Sequence, residues 1–129
     1  MIFKTQKMED YIKNYTNIDI SDEDMLVLQY KILEEVKKLV QDGYEYFFDT
    51  IDIETGMDND MDPVNVMMSL SVYRKNWHPG DYFNPASEDI KLYVTIIEIR
   101  YITRDGDDMR VNNSTIEMEN YIERELSTY

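Results

Sequence analysis

Asp58, Asp60 and Asp62 stand on alternate positions in GMDNDMDPVN, residues 56–65. Oxygen ligands at i, i+2 and i+4 are how a calcium loop begins. An EF-hand loop also needs glycine at its sixth position and a bidentate glutamate at its twelfth. Counted from Asp58 those positions are Pro63 and Ser69, and the flanks read as strands. The residues leave two readings: a divalent-cation (calcium) site through Asp58, Asp60 and Asp62, or a polar acidic turn between two strands. The spacing favours the turn.

His78, in NWHPGD, is the single histidine, and Asp81 is near enough in sequence to orient its ring. Without a neighbouring nucleophile or second ligand, an enzyme using His78 and carboxylates ranks last among the readings. Acidic pairs are so abundant that any glycosidase-like pair can be chosen at will, so that signal decides nothing. There is no glycine-rich phosphate loop, serine elbow or histidine pair, and no cofactor is expected. In the same stretch Trp77, Tyr82 and Phe83 read as a cap on the sheet edge, or as an aromatic anchor for a partner.

The charge balance narrows the partners. The 129 residues hold 27 acids against 13 bases, a net charge of −14. Phosphate binding depends on cation density, so direct nucleic-acid binding is not expected. An anionic membrane surface would repel the chain as well. Most of the excess lies in residues 16–62, with fourteen acids and three bases. The chain has no cysteine, which removes disulfides, thiolate zinc sites and a cysteine nucleophile together. The start, MIFKTQKMED, lacks the apolar core of a secretion signal. No stretch reaches the roughly 20 apolar residues needed to span a bilayer. A cytoplasmic protein of one domain, residues 1–129, is the expectation.

These side chains need elements to position them. Met8, Tyr11, Ile12 and Tyr15 fall at helical spacing and predict a short helix over 6–15. SDEDMLVLQYKILEEVKKLVQDG then predicts a helix over 21–42. Ser21 is its N-cap, Asp22, Glu23 and Asp24 suit the positive end of the dipole, and Gly43 is the stop. YEYFFDTIDIE reads as a first strand. VNVMMSLSVYRK alternates and reads as a half-buried antiparallel strand with Val66, Met68 and Leu70 inward. NWHPGDYFNPASED is a long connection. In IKLYVTIIEIRYITR the inward phase switches near Ile96–Ile97, which predicts either a bulge there or a strand covered on both faces. A C-terminal helix opens at Ser114 with Glu117 and carries Met118, Ile122 and Leu126 on one side.

The expected architecture is α+β: a three-stranded antiparallel meander with helices on one face, order α-α-β-β-β-α. In that arrangement Asp22, Glu23, Asp24, Asp58, Asp60, Asp62, Asp105, Asp107 and Asp108 gather at one end. The resulting expectation is a small acidic, non-enzymatic protein that binds another macromolecule, above all a protein with a basic surface. Inhibitors, immunity proteins and nucleic-acid mimics share this physical class. Tyrosines on the far face of the sheet, Tyr73, Tyr93 and Tyr101, add a surface suited to partner docking or to a homodimer.

Overall fold

A computed structural model describes residues 15–56, 61–78, 80, 82 and 87–128, the side chains of 76–78, 87 and 88 excepted. The elements are β1 (Tyr15–Ile18), α1 (Asp22–Gln41), β2 (Tyr46–Ile53), β3 (Val64–His78), β4 (Ser87–Ile102), β5 (Asp108–Val111) and α2 (Ile116–Leu126). They build one mixed sheet in the order β1-β5-β4-β3-β2. This corrects the expected meander: the central three antiparallel strands are present, but β5 and a parallel β1 extend the sheet beyond β4. The element order is β-α-β-β-β-β-α.

Two local misreadings account for the difference. Tyr15 satisfies a helical spacing with Tyr11 and Ile12, yet it opens β1 opposite Asp108. The rest of the expected first helix, residues 6–14, lies outside the described residues. DMRV is four residues long and half charged, too short to show alternation. It becomes a strand because Thr103–Asp107 closes a tight turn, with the amides of Thr103 and Gly106 bonded to Asp107 and Thr103 carbonyls at 3.0 and 2.9 Å. Gly106 has φ +85°, a conformation that side-chain-bearing residues resist.

The first helix forms as its sequence dictates. Ser21 Oγ accepts from the Asp24 amide at 3.1 Å, and three acids occupy the first turn. At the other end Gly43 N and Tyr44 N donate to the Val40 and Leu39 carbonyls, a Schellman arrangement made possible by φ +87° at Gly43. Arg74 donates to the same Val40 carbonyl at 2.9 Å, placing a cation on the negative end of the dipole. Leu28, Ile32 and Val36 are fully buried. Each is worth roughly 1.5–3 kcal/mol of transfer free energy.

Those residues meet a sheet face made by Val64, Val66, Met68, Leu70 and Val72 of β3, all buried. On β4 the buried set is Leu92, Val94 and Ile96, then Ile99 and Tyr101. The phase changes because Met68 pairs with Ile96 while Met67 pairs with Glu98, leaving Ile97 as the extra residue of a bulge. Tyr101 is thereby turned into the core, not onto the far face. β3 and β4 also run further than expected. They extend to His78 and from Ser87, so the connection is 79–86, and Trp77 and His78 belong to the strand. α2 starts one residue after the expected Ser114 cap, from Thr115, and buries Met118 and Ile122.

Candidate functional site

The acids of the chain separate into distinct places. Val64 of β3 pairs with Tyr101 of β4, and Ile102 pairs with Asp108 of β5. The β2–β3 loop and the β4–β5 turn therefore share one end of the sheet. Asp62, Asp105, Asp107 and Asp108 lie there, with Glu54 at the end of β2. Asp62 has a local task as well. Its Oδ1 accepts from the Thr55 amide at 3.0 Å, and Thr55 Oγ1 donates to the Met61 carbonyl at 2.8 Å. These bonds close the neck of the loop over buried Met61. Asp58 and Asp60 lie outside the described residues. Among the described residues no three histidine, cysteine or acidic side chains come together to hold a metal ion.

Asp22, Glu23 and Asp24 form the first turn of α1. β1 runs parallel to β5, away from the turn, and the chain enters α1 a few residues after Ile18. Asn113 ties this entry down: its Oδ1 accepts from Ile20 N at 2.8 Å, and its amide group donates to the Ile20 carbonyl at 2.9 Å. Asp22 then lines a cleft of about 460 Å³ with Leu26, Gln29, Ser114 and Glu117, between the starts of the two helices. Of the aromatic group, Tyr82 is 95% exposed, Trp77 is described only as part of β3, and Phe83 lies outside the described residues. His78 is placed by its backbone opposite Ser87. Asp81 lies outside the described residues.

No described element covers the face of the sheet away from the helices. Register places Tyr46, Ser71 and Tyr93 in one row and Phe48, Ser69 and Thr95 in the next. Tyr46, Phe48, Tyr73, Tyr93 and Ile97 are all exposed. Tyr73 and Tyr93 meet edge to face at 5.8 Å, and Lys91 sits 5.9 Å from the Tyr93 ring. Compared with family models, curated proteins and solved structures, this chain matches none. The reading of its surfaces rests on their own chemistry.

Two edges differ in a way the sequence did not announce. Among the described residues β4 has no strand partner along 87–99 on its β5 side. The amides of Ile90, Leu92 and Val94 point that way, and each has an acceptor: Thr128 Oγ1 at 2.6 Å, Ser127 Oγ at 3.1 Å and Glu123 Oε1 at 2.9 Å. Thr128 N returns a bond to the Ile90 carbonyl at 2.8 Å. The end of α2 thus seals this edge. At the opposite side β2 has only β3 for a neighbour among the described strands. Val72 N donates to the Glu45 carbonyl at 2.8 Å, which directs the odd residues of β2 toward β3. The backbone groups of Tyr46, Phe48, Thr50 and Asp52 consequently face outward. The Thr50 amide is held by the side chain of its own neighbour, Asp49 Oδ1, at 2.8 Å.

The β2 edge opens beside α1 into a cleft of about 540 Å³. Glu34, Glu35, Asp52 and Glu54 line it against Lys31 and Lys38. Lys38 is already engaged by Glu35 at 3.2 Å. A signal for this edge in the sequence is the pair Asp49 and Asp52, two charges that interrupt a strand otherwise made of Tyr, Phe, Ile and Thr, as charges on edge strands do.

Proposed function

We propose that this protein is a non-enzymatic binding module for a protein with a basic surface. The observation that supports this best is that acids distant in sequence, Glu54 and Asp62 on one side and Asp105, Asp107 and Asp108 on the other, come to one end of the sheet through the β3–β4–β5 register. With a net charge of −14, many carboxylates have no cation of this chain to pair with. Two such groups about 8 Å apart in water repel by roughly 0.5 kcal/mol, a cost a surface tolerates and a basic partner turns into attraction. Distant charge acts chiefly on encounter, so association should be fast and salt-sensitive.

The test is to capture partners from native extract at low ionic strength, elute with a salt gradient, and measure association rates for the protein eluted. Changing Asp105, Asp107 and Asp108 together to Asn should slow association several-fold more than changing Glu117, Glu119 and Glu125 to Gln, which removes the same formal charge from α2. Glu123 is left out of that control because it holds the Val94 amide. A partner retained through 1 M salt and indifferent to both triple variants would overturn the reading.

A further inference from the structure

The edge of β2 that no described strand covers carries a narrower inference, which rests on the reading of a basic partner. We propose that an extended, positively charged segment of the partner adds to β2 as a sixth strand. Strand addition needs a row of outward backbone donors and acceptors, and it draws specificity from alternate side chains. β2 supplies four outward residues, Tyr46, Phe48, Thr50 and Asp52, over eight residues of strand. β1, at the other end of the sheet, is four residues long, and the β4 edge is sealed by α2.

Charge selects the occupant. β2 and its flanks carry Glu45, Asp49, Asp52 and Glu54 and no base. A second copy pairing through β2 would set these four acids against the same four. A basic strand meets Glu45 and Asp49 with opposite sign on the helix side of the sheet, where Glu34 and Glu35 stand beside the edge on α1, while Asp52 lies on the far side. Asp49 Oδ1 occupies the place on the Thr50 amide that an added strand's carbonyl would take. Displaced, that carboxylate is free to receive a lysine or arginine. On the far face the added strand would pass exposed Tyr46 and Phe48, which accept apolar side chains or the faces of cations. The expected ligand is an extended segment in which basic and apolar residues alternate.

The probe is a capped ten-residue peptide alternating Lys and Val, titrated into isotope-labelled protein at low salt. Two companions are used: one alternating Glu and Val, and a Lys–Val peptide N-methylated at alternate residues, which keeps the charge but loses one hydrogen-bonding edge. Binding should protect the amides of Tyr46, Phe48 and Asp52 from exchange. The Lys–Val peptide should bind at least tenfold more tightly than either companion. Phe48→Pro removes an outward amide while leaving the bonds to β3, and should weaken binding at least tenfold. The combined change Asp49→Asn, Asp52→Asn, Glu54→Gln should weaken it several-fold at low salt.

Failures are distinguishable. If the acid variant binds weakly but N-methylation and Phe48→Pro make no difference, strand addition is wrong and the basic-partner reading stands. If neither the acid variant nor added salt changes binding, the basic-partner reading fails as well. Self-association mapped to β2 in the absence of peptide would overturn the proposal in favour of a second copy. The N-methylated peptide decides the matter even where Phe48→Pro fails to fold.

Discussion

The β4 edge and the β2 edge face the same physical problem and meet it differently. Each presents unpaired backbone groups that cost free energy when buried and invite other strands when exposed. At β4 the chain brings its own acceptors: a carboxylate from Glu123 in the last turn of α2, and hydroxyls from Ser127 and Thr128 just after it. At β2 no described element is brought up to the edge, and the local device is a carboxylate, Asp49, turned onto the next amide. Acceptors carried on and just after a helix packed against the sheet close the edge at Ile90, Leu92 and Val94. A solvent-exposed carboxylate is a guard that repels acids and yields to bases. The difference separates an edge built to be closed from one left accessible to a chosen charge.

That comparison can be broken or sharpened by substitution. The largest effect belongs to the core on which both edges depend. Met68 is fully buried, so Met68→Asp should destabilise by about 4 kcal/mol or more in chemical denaturation, and an effect below 1 kcal/mol would contradict the inward phase of β3. Next comes the alternation of β2. Phe47→Pro removes a bond to β3 and should cost about 3 kcal/mol, whereas Phe48→Pro, on the outward phase, should cost about 1 kcal/mol or less. Equal losses would mean the edge is not free. Glu123→Ala leaves the Val94 amide without its charged acceptor and should cost about 2 kcal/mol by thermal or urea unfolding. The smallest change is expected at Asp49→Asn, within about 0.5 kcal/mol, because the group is exposed and the amide still finds water.

Much of the scaffold could be read from the residues. The stripe of α1, its Ser21 cap and Gly43 stop, the alternation of β3 and the phase switch at Ile96–Ile97 are all carried by local patterns longer than a turn. β1 and β5 could not be read that way. They are four residues each, joined across more than ninety positions by backbone pairing and by contacts such as Arg110 Nε to Asn17 Oδ1 at 2.8 Å. The expected meander already left β2 at one rim; β5 entering beside β4 keeps it there and carries the other rim out to β1. Glu123 shows the same limit. In sequence it is one more acid on a helix; only the fold places it on a strand's amide. Of the expected acidic cluster, Asp62, Asp105, Asp107 and Asp108 share an end of the sheet, while Asp22 stands beside Glu117. The sequence could not show where α1 begins relative to the turn without β1.

Amide hydrogen exchange in the free protein tests the contrast most directly, since it reads both edges in one experiment. Ile90, Leu92 and Val94 should exchange slowly, with protection approaching that of the core strands. Tyr46, Phe48 and Asp52 should exchange at rates near those of an open chain, with Thr50 slower than its outward neighbours. Equal protection at the two edges, or slow exchange along β2, would contradict the account.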